Sequence, residues 1–186
     1  MELLEGIYNR RTVRVFRADP ISEEDLATIL EAGIWAPSHA NNQPWEFIII
    51  GPETRTKLAV NYREGLEVGP LRNPNIPEER KQTMRKFAEN FGDAPILLAV
   101  ACPVATTDLE RYDFPLSAAA AIQNISLAAW EKGIGNVWLS FGMRAPVQSL
   151  LEVEGSVAGI LAMGYSDVVP KAQPRISVAD KTRRLP

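Results

Sequence analysis

The chain of 186 residues carries a formal net charge of −3, and 46% of its residues are hydrophobic. This composition can form a hydrophobic core and excludes a disordered chain, while a pI near 5.3 argues against a general nucleic-acid binder. Because Cys102 and His39 are the only cysteine and histidine, an internal disulfide is excluded and a Cys/His zinc site lacks ligands, so we expect no metal.

The elements predicted from hydrophobic periodicity and from helix and turn signals follow in chain order. They are a helix at 2–9, an extended segment at 11–16, a helix at 22–36, a strand at 45–50, helices at 54–67 and 78–91, a strand at 95–101, a helix at 114–132, a strand at 136–140, a short helix at 146–151 and a strand at 157–163. The sequence leaves open whether the Pro- and Asn-rich loop at 69–77 acts as a lid.

The arrangement of these elements predicts the fold class. The strand at 95–101 is continuously apolar, as expected of a strand buried on both faces. The alanine-rich helix at 114–132 has few polar positions, so we expect it to be buried at the centre; high helix propensity alone is the alternative. We predict an α+β fold with a central mixed or antiparallel sheet of four to five strands flanked by helices.

The sequence lacks a targeting segment and a complete dinucleotide-binding motif, and this excludes further classes of protein. The N-terminal residues lack the basic and apolar regions of a signal peptide, and no apolar stretch is long enough to cross a membrane. Gly133-Ile134-Gly135 starts like a dinucleotide fingerprint, but Trp138 occupies the position of the third glycine. We expect one domain over residues 1–186, in the reducing cytoplasm, with no membrane and no nucleic-acid partner.

Three arginines lie within the segment "NRRTVRVF", residues 9–16. Side chains alternate between faces in an extended segment, so Arg10, Thr12 and Arg14 would share one face and Val13 and Val15 the other. Two guanidinium groups flanking a hydroxyl could bind a phosphate in a forked geometry. A solvated charge run is the alternative.

A second polar stretch, "APSHANNQPW" at residues 36–45, separates a predicted helix from a predicted strand. Its amide, hydroxyl and imidazole groups could form hydrogen bonds with the edge of a flat heterocycle. A well-bonded turn is the alternative, because Pro, Ser and Asn favour turns in any case. For His39 alone, a structural role is as plausible as a ligand contact.

Together these two motifs resemble the nitroreductase family of flavin-dependent oxidoreductases. The resemblance lies in Arg10-Arg11-Thr12-x-Arg14-x-Phe16, with threonine in place of the family's serine, and in the stretch from Pro37 to Phe47. It continues through "AAAAIQNISLAAWEKGIG" and "GILAMGY" and so covers nearly the whole chain.

The resemblance implies a homodimer with one FMN in each of two sites at the subunit interface. It implies that Arg10 and Thr12, with Arg11 adjacent, hold the phosphate and ribityl chain and that Arg14 lies by the pyrimidine end of the flavin. The remaining cofactor-binding residues it implies are Trp35, the partner-derived Ser38, His39, Asn41 and Gln43, the strand residues Trp138, Leu139 and Ser140, and Arg175 as a further phosphate ligand.

The function that the resemblance implies is an FMN-dependent NAD(P)H oxidoreductase. A hydride would pass from NADH or NADPH to the flavin and then to an electron-poor acceptor such as a nitroaromatic or a quinone. Because the cofactor carries the hydride, no catalytic acid, base or nucleophile is expected. Two alternatives stay open: a non-catalytic flavin-binding protein, and an enzyme of the same fold that uses reduced flavin for dehalogenation or flavin breakdown.

Overall fold

The computed structural model describes residues 1–185. Its helices and strands, in chain order, are α1 (Leu3–Asn9), α2 (Glu23–Ile34), β1 (Glu46–Ile49), α3 (Pro52–Val68), α4 (Glu78–Asn90), β2 (Ile96–Cys102), α5 (Asp108–Glu131), β3 (Gly135–Leu139), α6 (Ala145–Leu150), β4 (Ser156–Gly164) and α7 (Val178–Lys181). The loop predicted at 69–77 contains only the short 3₁₀ turn Pro70–Arg72.

The sheet has four strands in the order β1-β2-β4-β3, and every neighbouring pair is antiparallel. This confirms the four-strand antiparallel form of the prediction. The extended segment at 11–16 does not add a fifth strand. Its one ladder contact is a parallel bridge between Thr12 and Asn136, where the Val13 N–H donates to the Asn136 carbonyl at 2.9 Å.

Helices cover both faces of the sheet, because β2 alternates its apolar side chains between two cores. Leu98 and Val100 pack with residues of α2 and α5, whereas Leu97 and Ala99 pack with residues of α3 and α4. The continuously apolar run is therefore buried on both faces, as predicted. No described helix is both long enough and apolar enough to span a membrane.

Helix α5 begins at Asp108, well before the predicted start at residue 114. A capping box explains the difference: Thr107 Oγ1 accepts from the Glu110 N–H at 3.1 Å, and Glu110 Oε2 accepts from the Thr107 N–H at 3.1 Å. The alanine-rich part is buried on one side and half-buried on the other, whereas the turns before it expose the large side chains Leu109, Tyr112 and Leu116. The prediction of a buried helix is thus right for the alanine-rich part and not for the N-terminal turns of α5.

Two further segments leave apolar side chains uncovered. Helix α1 forms as predicted, but Leu3 and Leu4 are 68% and 59% exposed. The chain after β4 runs along the surface, forms the unpredicted short helix α7, and exposes Val168, Val169 and Ile176.

Candidate functional site

A pocket of about 600 Å³ collects positive charge from three distant parts of the chain. We call it the basic pocket, and its lining residues are Arg10, Arg11, Thr12, Arg14, Arg80, Pro170, Lys171, Gln173 and Arg175. Six of these side chains are cationic and none is acidic. Within residues 1–185, none of the six forms a salt bridge.

The segment that follows α1 supplies four members of the basic pocket. Val13 is 1% exposed and anchors the segment in the core, while the Thr12–Asn136 bridge holds it beside β3. The predicted alternation of faces is wrong beyond this point, because Val15 is 61% exposed and Phe16 is the next buried side chain. With a single bridge, the segment lacks the ladder that would hold a strict two-residue period.

Arg11 has a different environment from its neighbours. Its Nη1 atom donates to the carbonyls of Tyr8 and Arg10 at 2.7 and 2.8 Å, so the guanidinium closes the end of α1. These bonds keep positive charge at the pocket but use part of the donor capacity of Arg11. Burial lowers the pKa of Arg10, and the charges of Arg11 and Arg175 lower it further.

Arg175, predicted as a phosphate ligand, does line the basic pocket, and sequence reasoning missed Arg80 and Lys171. Arg80 lies on α4 and Lys171 follows β4, and neither belongs to a local motif. Only the packing of α4 and of the segment after β4 beside residues 10–14 brings them to the pocket. An unpaired cluster of like charges is electrostatically unfavourable, which makes the basic pocket a candidate anion site.

A second cavity, the apolar pocket, has a volume of about 440 Å³ and begins where β3 ends. Trp138, Leu139 and Ser140 line it together with side chains of α3 and α4, including Tyr62 and Met84. Burial raises the pKa of Tyr62, and the charge of Arg14 partly offsets that shift. Arg14 itself lines the basic pocket and not the apolar one.

The Trp138 side chain packs against a glycine on the neighbouring strand β4. Its indole lies over Gly159, where a Cβ would come within 2.6 Å of the ring carbon Cδ1. Trp138 remains 44% exposed, whereas Leu139 is 7% exposed and is part of the core. The end of β3 thus presents a flat aromatic surface and the exposed Ser140 to a ligand.

The polar loop that follows α2 is held in shape by its own hydrogen bonds. Ser38 Oγ accepts from the Gln43 N–H at 3.0 Å, and Gln43 Nε2 donates to Asn41 Oδ1 at 3.4 Å. Ala40, Asn41 and Gln43 all have positive φ, at 48°, 56° and 48°. Non-glycine residues adopt this region only where the surroundings require it, so the loop has one defined shape.

Within a single chain, the polar loop and the arginines do not share a pocket. None of Trp35, Ser38, His39 and Asn41 lines the basic or the apolar pocket, and Gln43 lines a separate cavity beside Cys102. Trp35 is 79% exposed. His39 Nδ1 lies 3.7 Å from Asp113 Oδ2, which places the loop against the exposed N-terminal half of α5.

Among the described residues, no cluster of three His, Cys, Asp or Glu side chains could hold a metal ion. The chemistry available at the site is therefore that of cations, amides, hydroxyls and a flat aromatic surface. This set can bind and orient an anionic, aromatic ligand. The fold and the site define an α+β protein with a candidate site for such a ligand.

Comparison with known proteins identifies the family. The model of the Nitroreductase family matches residues 7–165, so the chain belongs to that family. It is 27% identical over 183 residues to YfhC of Bacillus subtilis, provisionally named an NAD(P)H nitroreductase, covering 96% of this chain and 92% of the relative.

Two further comparisons concern chemistry. The chain is 32% identical over 166 residues to the 5,6-dimethylbenzimidazole synthase of Rhodospirillum rubrum, covering 84% of this chain and 78% of the relative. It also matches the crystal structure of an FMN complex from Desulfovibrio desulfuricans, provisionally named a nitroreductase, with 25% identity and a TM-score of 0.75. That match covers 100% of this chain and 98% of the other.

Proposed function

We propose that this protein is an FMN-dependent NAD(P)H oxidoreductase that delivers electrons to a small electron-poor acceptor. The observation that carries the proposal is the basic pocket, in which six unpaired cations meet no acid. Membership of the Nitroreductase family and the FMN complex of a structural relative support it.

The residues of the basic pocket fit the phosphate of FMN. A phosphate monoester carries about −1.5 to −2 charges at neutral pH, and charge-assisted hydrogen bonds from guanidinium groups suit it. In the proposal, Arg10, Arg175 and the Thr12 hydroxyl contact the phosphate and the ribityl chain. Arg11, which donates to the backbone carbonyls of Tyr8 and Arg10, adds positive charge beside the phosphate.

The ring of the cofactor belongs, in the proposal, beside the end of β3. Trp138, Leu139 and Ser140 back the isoalloxazine, and Arg14 holds positive charge near its pyrimidine end. FMN, when bound, supplies the hydride chemistry. The chain's own part is to bind, to orient and to provide a cation where negative charge accumulates.

We further propose that the protein is a homodimer whose polar loop completes the partner's site. The loop residues Ser38, His39, Asn41 and Gln43, with Trp35, reach neither pocket of their own chain. The His39–Asp113 contact sets the loop beside exposed Tyr112 and Leu116 of α5. A second chain packed on this apolar face would bury these side chains and receive the loop.

The 5,6-dimethylbenzimidazole synthase relative favours a second candidate. The dimethylated ring of that product corresponds to the dimethylated ring of flavin, so the same pocket could hold reduced flavin for oxygen-dependent breakdown. The two candidates differ in the fate of the flavin: an oxidoreductase regenerates it in every turnover, whereas the synthase consumes it.

The deciding experiment is the visible spectrum of the purified protein before and after NADH or NADPH is added without oxygen. We expect a yellow protein with about one FMN per chain that bleaches and then recovers fully when a quinone or nitroaromatic is added. A colourless protein that takes up no FMN contradicts the proposal. Flavin that neither nucleotide reduces indicates a binding protein, and loss of flavin on exposure to oxygen indicates the second candidate.

A further inference from the structure

The basic pocket holds more positive charge than one phosphate monoester needs. Arg10, Thr12 and Arg175 line the same pocket, and two guanidinium groups with a hydroxyl can hold one phosphate. Arg11 is bonded to backbone carbonyls. Arg80 and Lys171 remain: both line the pocket, both side chains are exposed, and neither forms a salt bridge among residues 1–185.

We propose that Arg80 and Lys171 bind the 2′-phosphate of NADPH and make NADPH the preferred electron donor. The inference rests on the proposed function and deepens it, because it assigns the nucleotide that the oxidoreductase uses. It concerns two exposed side chains, which are accessible to a ligand arriving from solution, rather than the partly buried Arg10.

The lining of the basic pocket contains no acidic residue, and this favours NADPH over NADH. NADH and NADPH share a diphosphate and differ in one phosphate monoester on the adenosine ribose. In Rossmann folds a carboxylate bonds to the ribose 2′-hydroxyl of NADH, whereas an arginine accommodates the 2′-phosphate of NADPH, and the same charge preference applies to a site of another fold. The basic pocket contains six cations and no carboxylate, so it offers the second arrangement and lacks the first.

The origin of the two residues supports a role apart from the cofactor phosphate. Arg80 lies on α4 and Lys171 on the surface segment after β4, so both reach the pocket from elements other than the segment that carries Arg10. Gln173 lies beside them in the lining and adds an amide that can donate to phosphate oxygens. Proteins bind phosphate both through the paired N–H groups of an arginine guanidinium and through the compact charge of a lysine ammonium.

The test uses the FMN-loaded protein and two measurements. The first is the rate of flavin reduction against nucleotide concentration for NADPH and NADH, and the second is calorimetric binding of 2′,5′-ADP and 5′-AMP. The variants are Arg80→Ala, Lys171→Ala, the conservative Arg80→Lys, and Lys86→Ala, an exposed control on the same helix outside the pocket.

We expect the wild type to bind NADPH about tenfold or more tightly than NADH, as one or two charge-assisted contacts allow. Arg80→Ala and Lys171→Ala should weaken NADPH and 2′,5′-ADP binding more than NADH and 5′-AMP binding. Arg80→Lys should retain part of the preference, and Lys86→Ala all of it.

Three results overturn the inference. Equal use of NADH and NADPH by the wild type removes its basis while leaving the proposed function intact. Variants that lose FMN affinity and keep the nucleotide preference assign Arg80 and Lys171 to the cofactor phosphate instead. A loaded protein that neither nucleotide reduces contradicts the proposed function itself and the inference with it.

Discussion

The backbone carbonyl of Arg14 lies directly against Gly92, so closely that a Cβ on Gly92 would overlap the oxygen. Gly92 has a φ of +66°, and its own carbonyl accepts a hydrogen bond from the Phe16 N–H at 3.0 Å. The turn after α4 thus holds the segment that carries the pocket arginines. A glycine outside both pockets fixes where Arg14 can point.

Replacing Gly92 with alanine should displace this segment. The positive φ alone costs about 1–2 kcal/mol for an alanine, and the overlap with the Arg14 carbonyl adds about 1–3 kcal/mol more. Gly133→Ala is the matched control, because Gly133 has a φ of +74° but nothing lies within 4 Å of its added Cβ. Thermal unfolding of both variants measures the difference. Equal losses of stability in the two variants would show that the close contact with the Arg14 carbonyl adds nothing to the cost of the substitution.

Arg10→Ala should weaken FMN binding about ten- to hundredfold, because it removes one charge-assisted contact of about 1.5–3 kcal/mol. Fluorescence titration with FMN measures the loss. Riboflavin, which lacks the phosphate, should bind wild type and variant alike. Arg63→Ala, an exposed arginine of α3 outside the basic pocket, is the control and should change neither affinity. An equal loss of riboflavin affinity would show that Arg10 does not act through the phosphate.

Arg14→Ala should lower the midpoint potential of bound FMN and slow its reduction even at saturating cofactor. The reason is that reduction adds negative charge near the pyrimidine end, where Arg14 is proposed to supply the counter-charge. Spectroscopic titration against a dye of known potential measures the shift, with Arg63→Ala as the control. If Arg14→Ala loses FMN affinity but keeps the potential, Arg14 serves the phosphate and its placement by the ring is wrong.

The lone thiol should be unreactive in the folded protein. Cys102 is 3% exposed, its Sγ–H donates to the Phe114 carbonyl at 3.5 Å, and burial raises its pKa from 9.0 to about 11. We expect no labelling by a thiol reagent at pH 8 until denaturant unfolds the chain. Rapid labelling of the native protein would show that Cys102 is accessible.

The same thiol should make stability depend on pH on the alkaline side. The folded state binds the Cys102 proton more tightly than the unfolded state, so its contribution is complete below pH 9 and is lost as the pH rises towards 11. Over that range a shift of this size corresponds to a loss on the order of 2 kcal/mol. Cys102→Ala, compared with the wild type in denaturant titrations at pH 8 and pH 10.5, should remove this part of the dependence. A wild type and variant that lose stability in parallel would contradict it.

Leu116→Asp should break the proposed dimer and weaken FMN binding with it. The side chain is 53% exposed on the face of α5 next to the polar loop, and burying a carboxylate there in an interface is unfavourable. Sedimentation velocity measures the assembly. The control is Val60→Asp, at an exposed apolar position of α3 outside that face. A wild-type monomer that carries FMN at micromolar concentration would contradict the dimer.

How far the sequence specifies this protein can be judged from single residues. Helices α3 and α4 and strands β2 and β4 fall within two residues of their predicted bounds, because strong periodicity and Gly or Pro punctuation mark them. The start of α5 was missed although the capping box of Thr107 and Glu110 is present in the sequence.

The candidate site likewise contains some residues that the sequence predicts and others that it does not. Arg10, Thr12, Arg14 and Arg175 line one pocket, as a shared phosphate site requires. Arg80 and Lys171 carry no local signal, since an arginine on a charged helix and a lysine in a polar segment are ordinary surface residues until tertiary packing sets them beside Arg10. Val15 shows the opposite error, because alternation assumes a strand that the segment does not form.

The basic pocket has a consequence for how the protein is made. Residues 10–14 leave the ribosome early, whereas Lys171 and Arg175 follow only after every strand of the sheet. Lys171 and Arg175 therefore join the other pocket residues only after the sheet has been synthesised, and a bound anion then links two segments that are distant in the chain. A product that stops before residue 171 would hold the whole sheet but lack Lys171 and Arg175, so tight uptake of the anion would distinguish finished molecules from truncated ones.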